Sequence, residues 1–383
     1  MNINPMSKSV SQDQEAIDRR FLAAALRLAR KHEGLTGTNP SVACVIVADT
    51  MHGKAIVGSA VTAKGGRPHA EPPALEEAGD LARGATAYVT LEPCAHHGKT
   101  PPCAQTLIDA GVARVVTAIA DPDDRVNGKG HQMLIAAGVE VTPLDGGEAA
   151  ERVIQGYLKA RNTSIPFVTL KLAMSEGGLI GSTQCGNLKI SGKASGLQTH
   201  LVRARHHAIM IGSGTALADD PWLNCRLPGL EERSPIRVVL DAKARLSADS
   251  HLVGQATKLQ TIVAGDANSP QEWREMLTRN GVRFLTCEFE DGFIALPELL
   301  EDLGALGIQS IMVEGGALLA ASFLNEDLVD EIIVHVGGEP ESPSEDRQGV
   351  FASFTPQSPP AGFSIEQELV FGCDRSLRLR KKN

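Results

Sequence analysis

A histidine, two cysteines and a glutamate constrain this chain more than any other feature. His69 and Glu71 stand two residues apart, and Cys94 and Cys103 follow after a strand-like run at residues 88–91. One imidazole and two thiolates can fill three corners of a zinc tetrahedron and leave the fourth for water. A nearby carboxylate that is not a ligand can move the protons of that water. The sequence therefore predicts a catalytic zinc site with ligands His69, Cys94 and Cys103, and with Glu71 as the catalytic residue.

Prolines beside these residues predict where two helices begin. Two prolines directly follow Glu71, and proline is tolerated in a helix only in its first turn. His69 and Glu71 should therefore lie at a helix start. A second pair of prolines precedes Cys103 and predicts a helix over residues 103–111. Both sulfurs would then lie near a helix N-terminus, where the helix dipole favours the thiolate.

A structural zinc site is the alternative interpretation. It would need four protein ligands, and His96 or His97 could supply the fourth. Glu71 would then have no task, so the catalytic site is favoured.

His-x-Glu followed by Pro-Cys and a second Cys is also typical of zinc deaminases, which release ammonia from a nucleobase-like ring. The short form of that motif has Cys-x-x-Cys, whereas eight residues separate Cys94 from Cys103 here.

Composition limits the function classes. A chain of 383 residues exceeds what one core usually serves, so two domains are expected. A net charge of -9 and only 4% aromatic residues argue against a nucleic-acid groove. Seven cysteines with no dense framework indicate a reducing compartment. Residues 1–14 are polar and predicted to be disordered, and no signal peptide or membrane span is visible, so a cytoplasmic protein is expected.

Helix and strand patterns alternate along the first half. Apolar residues at helical spacing predict a helix from Ile17 to Gly34, and residues 42–47 form an apolar strand in which Cys44 is a core residue. This alternation predicts an α/β layered domain. A helix over residues 146–161 joins the halves, and the domain boundary is placed near Ser164.

The second half has no Gly-x-Gly-x-x-Gly motif, so the sequence gives no dinucleotide fingerprint of that type. It does have a predicted strand, Ser310–Val313, followed by Glu314, two glycines and an apolar helix-like run. Glycines and a helix N-terminus can bind a phosphate. An ordinary strand-to-helix turn explains the same residues, so the pattern alone leaves both interpretations open.

The run of residues 90–103, Thr-Leu-Glu-Pro-Cys-Ala-His-His-Gly-Lys-Thr-Pro-Pro-Cys, resembles the deaminase half of the bifunctional riboflavin-biosynthesis deaminase/reductase family. Residues 39–42, 121–122 and 126–130 also match, although Ala43 stands where the family usually has glycine. In the second half the matching segments are residues 168–175, 203–204, 212–221, 226, 313–316 and 328–331. Together these segments cover most of the chain.

This resemblance implies an α/β fold with two domains. Residues 15–164 would form a cytidine-deaminase-like three-layer domain, and residues 165–383 a domain similar to dihydrofolate reductase. The first would use Zn2+ to deaminate a phosphoribosylated diaminopyrimidinone to the uracil. The second would use NADPH to reduce the ribosyl group of that product to ribityl. The resemblance also implies a small-molecule substrate and a homo-oligomer, either a dimer or a tetramer.

The resemblance further implies two sets of residues in the second half. NADPH contacts would come from Ala173, Thr215, Asp219, Gly316, Ala317, Leu318, Leu319, Ala320, Ala321 and Ser322. Substrate contacts would come from Arg203, Leu223, Arg226 and Glu314. The two arginines suit the substrate phosphate because a guanidinium presents a fork of donors.

Departures from the family pattern fall mostly in the second half. Residues 175–178, Ser-Glu-Gly-Gly, lack the family's aspartate, and residues 187–189, Asn-Leu-Lys, lack its aromatic side chain. The acidic segment at residues 339–347 also matches poorly. Three alternatives therefore remain: a deaminase whose reductase half has decayed, a transfer RNA or free-base deaminase, and a zinc-stabilised module without activity.

Overall fold

The computed structural model describes residues 12–98, 101–123, 125–182, 190–337 and 349–382. The chain divides into two compact units between Asn162 and Thr163. Each unit has its own sheet and its own hydrophobic core, so the α/β class expected for both halves is confirmed. None of the helices in these ranges is long and apolar enough to cross a lipid bilayer.

The first unit is built on a five-stranded sheet in the order β2-β1-β3-β4-β5. Strand β1 pairs antiparallel with β2 and β3, whereas β3, β4 and β5 are parallel. In chain order its elements are α1 (Gln12–Ala29), β1 (Ala43–Thr50), β2 (Gly53–Val61), α2 (Glu71–Ala78), β3 (Thr86–Val89), α3 (Cys103–Asp109), β4 (Arg114–Thr117), α4 (Lys129–Ala136), β5 (Glu140–Pro143) and α5 (Gly147–Thr163).

Helix α1 begins earlier than the sequence predicted. Residues 12–14 were expected to belong to a disordered start, and this is wrong for these three residues, while residues 1–11 lie outside the described ranges. The side chain of Gln14 donates a hydrogen bond to Asp18, one turn further along the helix. Asp18 is itself buried and accepts hydrogen bonds from Arg114 and Tyr88. The polar first turn of α1 is thus linked through Asp18 to Arg114 and Tyr88, which are distant in the sequence and could not be identified from the residues of α1 alone.

The second unit contains a nine-stranded sheet in the order β11-β10-β9-β8-β14-β6-β15-β18-β17. The strands from β11 to β15 are parallel, and β18 and β17 continue the sheet antiparallel. Its elements are β6 (Phe167–Met174), β7 (Leu179–Ser182), α6 (Lys193–Arg203), β8 (Ala208–Gly212), α7 (Ser213–Asp219), β9 (Ile236–Leu240), α8 (His251–Gly254), β10 (Thr261–Gly265), α9 (Gln271–Arg279), β11 (Arg283–Thr286), β12 (Phe289–Glu290), β13 (Phe293–Ile294), α10 (Leu296–Ala305), β14 (Ser310–Val313), α11 (Ala317–Asn325), β15 (Glu331–Val336), β16 (Gly349–Phe351), β17 (Phe363–Phe371) and β18 (Asp374–Lys381).

The position of strand β14 in the sheet brings distant segments of the second unit together. The strand enters the sheet between β8 and β6, although β8 begins about 100 residues and β6 about 140 residues before it in the chain. Because the three strands are parallel, their carboxyl ends lie side by side at one edge of the sheet. Binding sites in open parallel sheets form at this edge. Segments far apart in the sequence, at residues 173, 212–219 and 314–316, are thereby brought together.

Candidate functional site

Three side chains of the first unit form a candidate metal centre. His69 lies two residues before α2, Cys94 lies in the loop after β3, and Cys103 is the first residue of α3. The Nδ1 atom of His69 lies 3.4 Å from the Sγ atom of Cys103 and 3.8 Å from that of Cys94. In the described part of the chain these residues form a group whose ligand atoms all lie within 4.8 Å of one another. The predicted ligands are therefore adjacent in space.

The spacing of these atoms fits zinc. With Zn–N near 2.0 Å and Zn–S near 2.3 Å, tetrahedral geometry places nitrogen and sulfur about 3.5 Å apart. The two observed distances, 3.4 and 3.8 Å, lie on either side of that value. Within the described residues, neither His96 nor His97 joins the group. The geometry thus offers three protein ligands, which is the number found in catalytic zinc sites.

The pKa values of the two thiols are shifted in opposite directions. A hydrogen bond from Cys103 and the neighbouring His69 lower the pKa of Cys94, whereas that same hydrogen bond, together with burial, raises the pKa of Cys103. The backbone N–H of Cys103, at the start of α3, also donates to the Cys94 sulfur at 3.3 Å. A thiolate at a helix N-terminus is what the proline pattern predicted, and the thiolate is the form that binds metal.

Glu71 lies at the start of α2, as the two prolines that follow it predicted. Its side chain is buried, with 3% of its surface exposed, and burial raises its pKa. Its Oε2 atom is buried without a hydrogen-bond partner in the described structure. A buried carboxyl with a free oxygen beside a metal-binding group has the environment of a proton-transfer residue.

The predicted cofactor residues lie along the carboxyl edge of the second sheet. Ala173 is near the end of β6, Thr215 lies in α7 directly after β8, and Gly316 caps α11 directly after β14. The Gly316 N–H donates to the Thr215 hydroxyl at 3.1 Å, so two of the predicted segments are in contact. Asp219 is the last residue of α7, and burial raises its pKa.

The predicted cofactor residues of helix α11 differ in how exposed their side chains are. Leu318 is 86% exposed, whereas Ala320 is buried in the hydrophobic core of the unit. Ala317, Leu319, Ala321 and Ser322 are partly buried. A ligand at this helix start would therefore meet the backbone of Gly316 and the first turn, and the side chain of Ala320 contributes to packing.

The predicted substrate residues include a paired arginine and an exposed one. Arg203 makes two parallel hydrogen bonds to Glu314, of 2.9 and 2.7 Å, and their side chains are 11% and 15% exposed. Arg226 is exposed and donates to the Asn224 side chain at 2.9 Å. Leu223 is buried in the core, with a positive φ of 51°. Arg226 is thus the more accessible of the two guanidinium groups for a phosphate.

The charge of Glu314 is strongly stabilised. Burial opposes its ionisation, but the positive charges of Arg203 and Lys171 outweigh burial and lower its pKa to about 2. Burial lowers the pKa of Lys171, while Glu314 counteracts that effect. Lys171 therefore belongs to the same charged group, which no motif identified. The signal in the sequence was a lysine within the mostly apolar strand β6, since lysine is rarely buried without a partner.

His335 is a second residue that the sequence did not single out. It lies on β15 opposite Ala173 of β6, is fully buried, and shares a hydrogen bond with the Ser376 hydroxyl at 3.1 Å. Its Nε2 atom is buried without a partner among the described residues. Burial and the charge of Lys171 lower its pKa to about 4, against the opposing effect of Asp374 and Glu314. His335 is therefore neutral in the folded protein near neutral pH.

The buried His335 should make the second unit less stable at acidic pH. Its folded pKa lies below the usual value of about 6.5, so its stabilisation is complete above pH 6.5 and is lost as the pH falls towards 4. We expect His335→Gln to remove about 2 kcal/mol of the stability difference between pH 7.5 and pH 5. Urea unfolding followed by tryptophan fluorescence measures this, because both tryptophans, Trp222 and Trp273, lie in this unit.

The control for this prediction is His52→Gln, in the exposed turn between β1 and β2 of the other unit. It should leave the pH dependence of the tryptophan signal unchanged. An unaltered pH dependence in the His335 variant would show that another group, such as the partly buried His206, causes the acid sensitivity.

The three departures noted in the sequence have different outcomes, because the structure describes only the first of them. Residues 175–178 form the turn before β7, in which the Ser175 hydroxyl accepts hydrogen bonds from the N–H groups of Gly177 and Leu179. Glu176 forms an ion pair with Arg375 of β18. The altered segments at residues 187–189 and 339–347 lie outside the described residues. The turn is thus well connected even though it lacks the family's aspartate.

Comparison with protein families matches both units. The model of the cytidine and deoxycytidylate deaminase zinc-binding region matches residues 15–119. The model of the RibD C-terminal domain matches residues 166–338. The first match contains His69, Cys94 and Cys103, and the second contains the carboxyl edge with Arg203 and Glu314.

Individual relatives match over most of the chain. The riboflavin biosynthesis protein RibD of Escherichia coli K12 is 40% identical over 330 residues, which are 83% of this chain and 87% of that protein. The structure of Acinetobacter baumannii RibD, form 1, has a TM-score of 0.81 at 36% identity and covers 96% of this chain and 99% of its own. A Thermotoga maritima structure described as a diaminohydroxyphosphoribosylaminopyrimidine deaminase/5-amino-6-(5-phosphoribosylamino)uracil reductase has a TM-score of 0.80 at 28% identity, covering 96% and 99%. The chain therefore belongs to the RibD family of riboflavin-biosynthesis enzymes, in which a deaminase unit and a reductase unit share one polypeptide.

Proposed function

We propose that the chain catalyses two consecutive reactions on one phosphoribosylated pyrimidine and that the residues identified above carry them. It is a bifunctional enzyme of riboflavin biosynthesis, and its cofactors are Zn2+ and NADPH. The first unit, residues 15–164, deaminates the diaminopyrimidinone ring hydrolytically. The second unit, residues 165–383, reduces the ribosyl group of the product to ribityl. The observation that carries the proposal is the His69, Cys94 and Cys103 group with the buried Glu71 at the adjacent helix start.

In the first reaction, His69, Cys94 and Cys103 would hold the zinc ion. When bound, zinc supplies Lewis acidity that makes water nucleophilic near neutral pH. Glu71 takes a proton from that water at its free carboxylate oxygen and delivers it to the departing amine, which leaves as ammonia. Burial favours this exchange, since it raises the pKa of Glu71 and so makes the carboxylate a better proton acceptor.

In the second reaction, the carboxyl edge of the nine-stranded sheet would hold NADPH. The cofactor supplies the hydride. Ala173, Thr215, Asp219 and the turn and helix at residues 316–322 form its binding surface, with Gly316 exposed at the start of α11 and held by Thr215. Arg203, Leu223, Arg226 and Glu314 form the substrate side. The accessible Arg226 suits the phosphate, and the ionised Glu314 is ready to accept hydrogen bonds from a substrate N–H or hydroxyl group.

The proposal extends to partners and location. The substrate is a small molecule, and the net charge of -9 and the low aromatic content support an enzyme that does not bind nucleic acid. A homo-oligomer, as a dimer or tetramer, and a cytoplasmic location are proposed on the family resemblance and the cysteine usage.

One incubation tests both activities. The protein is mixed with the phosphoribosylated diaminopyrimidinone and NADPH, and ammonia release and NADPH absorbance are followed together. We expect ammonia release first and NADPH oxidation after it. Ammonia without NADPH oxidation would indicate a deaminase with an inactive reductase unit. Activity on free nucleobases or transfer RNA instead would support a different deaminase, and absence of both signals would leave only a zinc-binding module.

Substitution of Arg226 tests the substrate side of the second unit. We expect Arg226→Ala to raise the KM of the reduction about tenfold, because a charged hydrogen bond to the phosphate is lost. Deamination should be unchanged. Arg279→Ala, an exposed arginine on α9 of the same unit, is the matched control and should change neither rate. Loss of deamination in the Arg226 variant would contradict the assignment of this residue to the reductase site.

A further inference from the structure

The loop that carries Cys94 also contains a buried glutamate to which the reaction assigns no task. Glu92 lies two residues before Cys94 and has 3% of its surface exposed. Its carboxylate accepts four backbone hydrogen bonds from the loop after β4 and the first turn of α4. The donors are the N–H groups of Asp121 at 3.4 Å, Gly128 at 2.9 Å, Gly130 at 2.9 Å and His131 at 3.2 Å. A buried carboxylate with this many donors is rigidly held.

Three of these donors, the N–H groups of Gly128, Gly130 and His131, lie at the N-terminus of α4. A helix begins with N–H groups that have no partner within the helix, and short polar side chains close in sequence usually satisfy them. Here Gly128 caps the helix in a left-handed conformation, the Lys129 N–H is bound by the Val126 carbonyl, and Glu92 binds the N–H groups of Gly130 and His131. Glu92 therefore caps α4 from a distance of more than thirty residues along the chain. The negative charge also suits the positive end of the helix dipole.

Helix α4 packs tightly against Pro93, the residue directly before Cys94. A Cβ atom added at Gly130 would lie 2.0 Å from the Pro93 carbonyl oxygen and 3.1 Å from the Glu92 carboxylate. On its other side, Cys94 is joined to α3, because its carbonyl accepts the Ala104 N–H and its sulfur accepts the Cys103 N–H. The short segment from Glu92 to Cys94 is thus held between two helix starts, α4 on one side and α3 on the other.

We propose that Glu92 is a positioning residue of the deaminase site, which fixes the thiolate of Cys94 by fastening the loop before it to α4. This rests on the proposed role of Cys94 as a zinc ligand. Groups that orient metal ligands without touching the metal typically contribute 10- to 100-fold to metal affinity. A glutamine at this position would place an NH2 group against backbone N–H donors, so part of the network would be lost and the Pro93–Cys94 segment would be free to shift.

The test compares zinc release and ligand geometry in the full-length protein. We expect Glu92→Gln to release zinc to a chromogenic chelator about tenfold faster or more. After exchange of zinc for Co2+, the visible absorption of the cobalt centre should shift, since it depends on the positions of the thiolates. Gly130→Ala, which presses on the Pro93 carbonyl and the Glu92 carboxylate but keeps the charge of Glu92, should change both measurements in the same direction.

The matched control is Asp18→Asn, which also converts a buried, multiply hydrogen-bonded carboxylate of the first unit to an amide. It should lower stability but leave the cobalt spectrum and the zinc release rate of the folded protein unchanged. If Glu92→Gln does not fold, Glu92→Asp keeps the charge on a shorter side chain and should give a smaller change in the same direction. A Glu92 variant that only lowers the unfolding temperature would show that Glu92 is a helix cap and nothing more. A wild-type protein that binds neither metal would instead overturn the proposed zinc site, and this inference with it.

Discussion

Replacing Glu71 by alanine is expected to lower the rate of deamination by about 10²- to 10⁴-fold, the usual contribution of a general acid and base. The protein should keep its zinc, because the predicted ligands are His69, Cys94 and Cys103 and these are untouched. Zinc content measured beside ammonia release separates the two effects. The rate of NADPH oxidation with the deaminated substrate should be unchanged, which shows that the variant chain is folded in its second unit.

Glu76→Ala is the matched control for this prediction. Glu76 lies on the same helix, α2, but is exposed, whereas Glu71 is buried at the helix start. Its removal should leave deamination within about twofold of the original rate, as is usual for surface substitutions. Full deaminase activity in the Glu71 variant would remove Glu71 from the mechanism. Loss of zinc from that variant would mean that the carboxylate is a ligand, and the site would then have four protein ligands.

The candidate metal site could be predicted from the sequence because its determinants are local. The proline pairs fix two helix starts, and the helices α2 and α3 begin at Glu71 and Cys103 in the structure. Each ligand lies at or beside one of these helix starts or in the loop that joins them to β3. Local patterns were therefore enough to identify His69, Cys94 and Cys103 as one candidate group, without knowledge of how distant strands pair.

The pairings in the second unit could not be predicted in the same way. Arg203 and Glu314 are 111 residues apart, and Thr215 and Gly316 are 101 residues apart. Their contact depends on the insertion of β14 between β8 and β6, which the alternation of helices and strands does not specify. The cap of α4 by Glu92 depends in the same way on the parallel pairing of β3 with β4. In these cases the sequence indicated the residues or their class, and only the sheet order supplied the partner.

Breaking the pair between Arg203 and Glu314 is expected to cost the second unit about 3 kcal/mol, because one buried charge would be left without its partner. The two substitutions should differ. After Arg203→Met, Glu314 still has Lys171 beside it, whereas Glu314→Leu leaves both Arg203 and Lys171 without a counter-charge. We therefore expect Glu314→Leu to be the more destabilising. Urea unfolding followed by the fluorescence of Trp222 and Trp273 reports on this unit alone.

The double variant completes the test of this pair. If the two side chains act mainly on each other, the loss in Arg203→Met with Glu314→Leu should be smaller than the sum of the two single losses by about 1 kcal/mol or more. All three variants should lose reduction, because Arg203 and Glu314 both lie on the substrate side of the proposed site, and all three should keep deamination. Additive losses would show that the hydrogen bonds of 2.9 and 2.7 Å between the two side chains contribute little to stability. A normal rate of reduction in Glu314→Leu would contradict its place beside the substrate, since an apolar side chain there could neither accept a hydrogen bond nor balance the charges of Arg203 and Lys171.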